Sequence, residues 1–160
     1  MGHEIMHAYD IVGSNYDDRS HFEPWRTKKF GEEYAKRTLC LRKSHKKVMR
    51  RLPRLEMVDD TLDSENLADF VGTVSTYAAY ASLPRQERDM VLSGLNMTAE
   101  RLFFINSCVK WCDDESLTGG RYSPSRSRCL VPLVNMPQFA AAFDCAPGTP
   151  MNPQEKCSFW

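Results

Sequence analysis

Apolar residues recur at helical spacing along most of the chain, and this pattern predicts a mainly α fold. Residues 1–10 are predicted to form a first helix. Residues 20–47 are predicted to form a second, with Pro24 in its first turn, because their aromatic and aliphatic side chains follow a rough 3.6-residue period. Residues 60–83 carry a broad apolar stripe, which predicts a third helix with Asp60 or Thr61 as its cap.

The C-terminal half alternates between helix and loop. Thr98 is predicted to cap the helix that follows it. Residues 113–137 are rich in serine, glycine, proline and arginine, which predicts a loop ending near a short strand, CLVPLV (129–134). A last helix is predicted over 136–145. We find no internal repeat and no boundary of a second domain, so the pattern predicts one mainly α unit with short strand and loop segments.

Composition and charge narrow the function classes. The 160 residues are 42% hydrophobic and 26% charged, which is typical of one modest globular domain. Because 21 basic residues balance 21 acidic ones, no long-range field favours nucleic acid or an anionic membrane. The basic run over 37–54 is interpreted as a solvated helix face and loop, with a polyanion-binding patch as the alternative.

The signals for cellular location disagree. No apolar run approaches the roughly 20 residues that span a bilayer, and the polar N-terminus does not resemble a signal peptide. The six cysteines lack the spacing of a zinc ribbon, so disulfides formed in an oxidising compartment are the better interpretation. Asn96, Met97 and Thr98 form an N-glycosylation sequon, which points to the same oxidising compartment, although such triplets are common by chance. Secretory cysteines without a secretory signal lead us to expect a missing N-terminus.

The first residues contain a candidate metal site. His3, Glu4 and His7 spell H-E-x-x-H, and residues four apart project from one face of a helix, so both imidazoles can bind one metal ion. Glu4 is the next residue around the same helix, where it can take a proton from a water molecule that zinc has acidified. Only three positions are specified, so a chance match is the alternative.

Two acidic residues of the third predicted helix can complete this site. Glu65 and Asp69 are also four residues apart, so Glu65 can supply a third ligand while Asp69 accepts the N–H of a ligating histidine. Asp10, one turn after His7, can act similarly. A solvated acidic face is the alternative, but the apolar neighbours indicate a buried helix, where unpaired carboxylates are unfavourable.

These motifs resemble the neprilysin / endothelin-converting-enzyme family of zinc metalloendopeptidases (M13). The likeness rests on GHEIMHAYD, SENLADFVG, LFFINSCVKWC, YSPSRSRCLVPLVNMPQFAAAFDC and the terminal MNPQEKCSFW, so it covers nearly the whole chain. It implies that residues 1–160 are the helical C-terminal part of a thermolysin-like (gluzincin) catalytic domain, without the N-terminal lobe and anchor. A truncated or partial gene product is therefore expected.

The resemblance also implies the activity and the site. It makes His3, His7 and Glu65 the ligands of one zinc ion, Glu4 the general base and Asp69 the support of His3. The implied reaction is hydrolysis of peptides, by an extracellular or plasma-membrane ectodomain whose parent protein is membrane-anchored or secreted. No nucleic-acid partner is implied, and this chain itself contains no membrane segment.

The chain departs from the family at three positions near the site. Arg128 matches the family's substrate-gripping arginine, but Tyr122 stands where the family has a histidine that hydrogen-bonds the transition state. Ser64 replaces a glycine before the third ligand, and Asp63 precedes it. The competing hypothesis is therefore a catalytically inactive fragment that serves as a binding or regulatory module.

The resemblance assigns four of the six cysteines. Cys40 and Cys157 match the partners of one family disulfide and are expected to pair. Cys112 and Cys145 match cysteines whose partners lie in the absent N-terminal region, so they are expected to be free here. The two remaining cysteines have no family counterpart, and their partners stay open.

Overall fold

The fold is mainly α, as predicted. The computed structural model describes residues 1–48, 60–112 and 122–159. The helices of these ranges are α1 (Gly2–Met6), α2 (Lys28–Val48), α3 (Asp60–Ala81), α4 (Arg85–Arg88), α5 (Ala99–Val109), α6 (Ser125–Val134) and α7 (Pro137–Ala142). The strands β1 (Val91–Leu92) and β2 (Met97–Thr98) pair in antiparallel register. Within the described ranges, no helix is both long enough and apolar enough to cross a membrane.

The first half of α3 is the centre of the molecule. Every residue from 63 to 72 is buried, because this segment packs against α1, α2 and α6 on different sides. The main apolar cluster around it consists of Met6, Tyr34, Leu41, Leu67, Ala68, Phe70, Val71, Val131 and Phe159. The acidic residues of this segment are therefore held inside the protein.

A second apolar cluster joins α5 to α6 and α7. Phe104 is 1% exposed and contacts Phe139 edge to face, with ring centroids 5.5 Å apart. Leu133 and Met136 complete the buried part of this cluster. Thr98 caps α5 as predicted, since its hydroxyl oxygen accepts the Arg101 N–H at 3.2 Å.

Helices α1 and α3 approach each other through glycine. A Cβ atom added to Gly72 would lie 2.8 Å from the backbone nitrogen of His3, and one added to Gly2 would lie 3.3 Å from the Gly72 Cα. Only glycine pairs allow backbones to come so close. This contact sets the depth at which α1 rests on α3.

The predicted start of the second helix is wrong. Helix α2 begins at Lys28, not near residue 20, and Pro24 lies in the irregular segment before it. The Asp17 carboxylate accepts the backbone N–H groups of Arg19 and His21, and Ser20 has a positive φ of 63°. This local turn uses polar groups that would otherwise continue the helix toward the N-terminus.

The predicted strand CLVPLV is also wrong, because residues 125–134 form α6. Four consecutive residues of this helix are buried, so their apolar pattern lacks the 3.6-residue period that would have predicted a helix. Pro132, which also disfavours a helix prediction, lies inside it. The β1–β2 hairpin was not predicted, since its exposed strands have two residues each. Residues 113–121 of the predicted loop and the side chains of Asp60 and Thr61, which were predicted to cap α3, lie outside the described residues.

Two disulfides tie the elements together. Cys40 of α2 bonds to Cys157 of the C-terminal tail, the pairing that the resemblance implied, and Cys108 of α5 bonds to Cys129 of α6. Cys112 and Cys145 form no disulfide within the described part of the chain, as expected. The tail is held further by Phe159, which is buried against α2.

Candidate metal centre

Three side chains from α1, the turn after it and α3 converge on one point. The Nε2 atoms of His3 and His7 lie 3.1 Å apart. The Glu65 Oε2 atom lies 3.3 Å from His3 Nε2 and 3.6 Å from His7 Nε2. The structure therefore brings together the three residues that the sequence nominates as ligands, because the Gly2–Gly72 contact lets the two backbones approach.

Each histidine is oriented by a carboxylate on its other ring nitrogen. His3 Nδ1 lies 2.9 Å from Asp69 Oδ1, and His7 Nδ1 lies 2.6 Å from Asp10 Oδ2. Asp10 is itself held in place, since its Oδ1 accepts the N–H groups of Val12 and Gly13 at 2.8 Å. In the tautomer that donates Nδ1–H to a carboxylate, the Nε2 of each ring can present its lone pair to the shared point.

The donor set fits a zinc ion. Zinc bound at roughly 2.0–2.1 Å in a tetrahedron places its ligand atoms about 3.3 Å apart. The three separations here, from 3.1 to 3.6 Å, bracket that value. Two imidazole lone pairs and a carboxylate oxygen at such distances repel one another, so the arrangement is favourable around a shared cation. Three protein donors also leave a fourth tetrahedral position for a water molecule or substrate.

The local charges favour a cation at the same place. The hydrogen bond to Asp69 raises the pKa of His3, and burial partly opposes this effect. The charges of Asp69, Glu65 and Glu4 raise that pKa further. These groups therefore produce a negative potential around the converging ligand atoms.

Asp69 connects the histidine to Arg128. The Arg128 Nε donates to Asp69 Oδ2 at 2.6 Å and its Nη2 donates to Oδ1 at 3.0 Å, a two-point ion pair. Burial raises the pKa of Asp69, but the hydrogen bonds from His3 and Arg128 outweigh burial, and the net pKa lies below the usual value. The carboxylate thus stays ionised although it is buried.

Aromatic rings cover the Arg128 guanidinium from two sides. Its carbon atom lies 4.1 Å from the Trp111 ring centroid and 4.6 Å from that of Tyr122. Tyr122 is 50% exposed and lies on Arg128, at the outer side of the Asp69 pair. Trp111 was not predicted to be a site residue, because its side chain is neither a metal ligand nor an acid or base, and its signal in the sequence is its place in the motif LFFINSCVKWC.

Two further candidates lie at the surface. Glu4 is exposed on α1 and close enough for its charge to act on the His3 ring. Asn96 is exposed in the turn of the β1–β2 hairpin and has a positive φ of 48°. The hairpin therefore presents the sequon to solvent, where a glycan can be attached.

The departure at Asp63 has a local partner. Asp63 is buried near the start of α3, and its carboxylate accepts the guanidinium of Arg42 from α2, with Nε 3.3 Å from Oδ1. This pairing neutralises the acidic side chain two residues before Glu65. The extra carboxylate thus pairs with α2 and does not compete for the converging histidines.

An open cleft borders the His3 side of the site. It runs between the start of α1 and the facing sides of α3 and α5, and Gly72, Thr76, Phe103 and Lys110 are among its lining residues. The cleft is open to solvent, and His3 and Asp69 both line it.

Comparison with known proteins identifies related sequences. The profile described as Peptidase family M13 matches residues 1–159. The chain is 32% identical to Neprilysin-1 of Trittame loki, 33% to Membrane metallo-endopeptidase-like 1 of Homo sapiens and 34% to Neprilysin-3 of Drosophila melanogaster. Each match covers 100% of this chain but only 24%, 22% and 21% of those proteins, so the chain spans under a quarter of their length.

A solved structure has the same fold. The crystal structure of a Mycobacterium tuberculosis zinc metalloprotease in complex with an inhibitor superposes with a TM-score of 0.75 at 23% identity. The superposition covers 99% of this chain and 26% of that one. The helical arrangement is thus that of the C-terminal part of a thermolysin-like catalytic domain.

Proposed function

The chain belongs to peptidase family M13, and we propose that residues 1–160 form the zinc-binding C-terminal part of a metalloendopeptidase of the neprilysin type. The observation that carries this proposal is the convergence of His3, His7 and Glu65, whose ligand atoms lie within 3.1–3.6 Å of one another. One zinc ion is the cofactor that this donor set suits.

The site divides the chemistry between the ion and the protein. Zinc supplies Lewis-acid chemistry, since it acidifies water and polarises a carbonyl group. Glu4 then acts as the general base that takes a proton from water and later returns it to the leaving amine. Its exposure on α1, next to His3 in the chain, supports this role, because the carboxylate is accessible to solvent and its charge acts on the His3 ring.

The buried groups behind the ligands orient them. Asp69 keeps the His3 ring in the tautomer that presents Nε2, and Asp10 does the same for His7. Arg128 keeps Asp69 ionised through two hydrogen bonds, and the resemblance makes Arg128 the residue that grips the substrate. By the resemblance, Tyr122 takes the place of the histidine that hydrogen-bonds the transition state, and its phenol can donate a hydrogen to a developing oxyanion.

The substrates are proposed to be extracellular peptides, and the parent protein to be secreted or membrane-anchored as an ectodomain. The two disulfides and the exposed sequon at Asn96 support this location, because disulfides form and N-linked glycans are attached in the secretory compartment. The match to the peptidase family supports peptides as the substrate class.

The metal content of the purified chain tests the zinc site. We expect one zinc ion per chain by inductively coupled plasma mass spectrometry after dialysis, and none in His3→Ala or Glu65→Gln. His21→Ala is the matched control, because His21 is exposed and pairs with Asp17 away from the site. A well-folded parent chain with far less than one zinc ion would refute the proposal.

Glu4→Gln separates metal binding from chemistry. This variant should bind zinc like the parent, while peptide hydrolysis in a full-length protein should fall by at least about 10²-fold, the typical contribution of a general base. The 160-residue chain alone should have little activity, because fixed substrate positioning contributes roughly 7–11 kcal/mol of barrier lowering. Full activity of Glu4→Gln would contradict the assignment of the base.

One observation favours a second candidate, a catalytically inactive binding or regulatory module. The Tyr122 ring lies against Arg128, where the family's histidine would supply a stronger hydrogen-bond donor. If a full-length protein binds zinc and peptides but hydrolyses none of them, this second candidate replaces the first.

A further inference from the structure

The Cys108–Cys129 disulfide lies beside the groups that support the metal site. It joins α5 to α6, and the two cysteines are 21 positions apart in the sequence. Cys129 follows Arg128 directly along α6. On the other side, the Trp111 N–H donates to the Cys108 carbonyl at 2.9 Å, so Trp111 lies one helical turn after Cys108. One covalent bond therefore connects the segments that carry Arg128 and Trp111.

These two side chains must keep their relative position for Asp69 to be held. The guanidinium of Arg128 packs 4.1 Å from the Trp111 ring and donates two hydrogen bonds to Asp69. Asp69 in turn accepts from His3 Nδ1 at 2.9 Å. A shift of α6 along α5 would change the stacking and the two-point ion pair together, since both depend on one planar group.

The apolar contact between α5 and α6 lies next to the disulfide. Phe104, one turn before Cys108, packs with Leu133 of α6 and with Met136 just after it, and Cys108 packs against the same cluster. Apolar packing is non-directional, so by itself it permits small shifts of α6 along α5. The disulfide, one residue after Arg128, restricts such shifts through a covalent bond.

We propose that the Cys108–Cys129 disulfide positions Arg128 against Trp111 and Asp69, and thereby holds the His3 ring at the metal site. Both cysteines are positioning residues in this scheme, since neither touches the ion or the substrate. The inference rests on the proposed function only in taking His3 as a zinc ligand. Both cysteines are partly exposed, so the bond is open to reductants.

The test compares the two disulfides of the 160-residue chain. Cys108→Ala/Cys129→Ala removes the proposed positioning bond, and Cys40→Ala/Cys157→Ala is the matched control, which removes a bond that closes 117 residues. The first readout is solvent exchange of the Arg128 Nε–H proton, observed by ¹⁵N NMR and assigned by its absence in Arg128→Lys. The second is the zinc Kd, measured by chelator competition.

Loss of the Cys108–Cys129 bond should accelerate Nε–H exchange by at least about tenfold. The zinc Kd should rise about 3–10-fold, below the 10–100-fold typical of residues that contact a ligand directly. The control should change both readouts by less than about twofold, although it lowers stability more. Equal changes in both double variants, or no change in the first, would overturn the proposal.

Two further measures keep the test decisive. If the alanine pair does not fold, Cys108→Ala/Cys129→Val fills the volume of the lost bond and is measured in the same way. The exchange readout is taken on the metal-free chain. A parent that binds no zinc would thus refute the proposed function, while the Arg128 signal would still decide whether the disulfide positions this group.

Discussion

Substitution of Gly72 by alanine tests whether the depth of α1 on α3 sets the metal site. The new Cβ atom would lie 2.8 Å from the His3 backbone nitrogen and 3.2 Å from its Cα atom. Both neighbours are backbone atoms, so no side-chain rotation can relieve the overlap. Helix α1 must therefore move away from α3 as a unit.

The displacement follows from the contact distances. Ordinary van der Waals contact begins at 3.4 Å, so α1 must move about 0.6 Å from the 2.8 Å separation. His3 and His7 move with α1, while Glu65 and Asp69 stay on α3. Zinc–ligand distances tolerate deviations of only about 0.2 Å. We therefore expect the zinc Kd of Gly72→Ala to rise at least about tenfold, with a loss of about 1–3 kcal/mol in unfolding free energy from overpacking.

Gly31→Ala is the matched control for this experiment. Gly31 lies inside α2, and no atom lies within 4 Å of its added Cβ. Alanine there should leave zinc affinity unchanged and should stabilise the chain by about 0.5–1 kcal/mol through helix propensity. Zinc affinity is measured by chelator competition and stability by urea denaturation monitored by circular dichroism.

The refuting result is a folded Gly72→Ala chain that binds zinc as tightly as the parent. It would mean that α1 adjusts without separating its histidines from Glu65. The close glycine contact would then be a packing feature without consequence for the ligands. A chain that loses stability but keeps zinc affinity counts as the same refutation.

Three further predictions concern acid stability, cross-linking and turnover. Burial lowers the pKa of His45 from 6.5 to about 4, so the metal-free chain should lose about 3 kcal/mol of unfolding free energy as pH falls from 6.5 to 4. His45→Gln should flatten that part of the stability curve, and an unchanged curve would contradict the assignment. Cys40→Ala/Cys157→Ala should lower the unfolding free energy by about 4–5 kcal/mol, and removal of the Cys108–Cys129 disulfide by about 3 kcal/mol, because the Cys40–Cys157 bond closes the longer loop. A larger loss for the Cys108–Cys129 variant in urea denaturation would contradict this prediction. Tyr122→His in a full-length protein should raise kcat by up to about 10²-fold with little change in zinc affinity, and a variant no faster than the parent would mean that the phenol already suffices.

Much of the candidate site could be predicted from sequence because its pieces are local. His3 and His7 share a face by their spacing alone, and so do Glu65 and Asp69. The supporting role of Asp10 follows from its place one turn after His7, where its carboxylate accepts the ring N–H at 2.6 Å. Spacing within one helix determines such relations before any tertiary contact forms.

The errors fall where tertiary contacts outweigh local patterns. Residues 129–134 read as a strand because they are branched and apolar, but burial among α2, α3 and α5 makes them part of α6. The second helix was predicted to begin too early because the Asp17 turn interrupts an apolar period that continues through it. Periodicity reports which side of an element is buried, and it fails when several sides are.

The sequence by itself determined the mainly α class, the helical pairs of candidate ligands and, through its resemblance, the pairing of Cys40 with Cys157. Only the tertiary structure decided that Glu65 meets the histidines at 3.3 and 3.6 Å, because this depends on a glycine contact between α1 and α3. It also decided that Trp111 covers Arg128 and that Cys108 bonds to Cys129. Such contacts join residues far apart in the chain, and no local propensity encodes the distance between them.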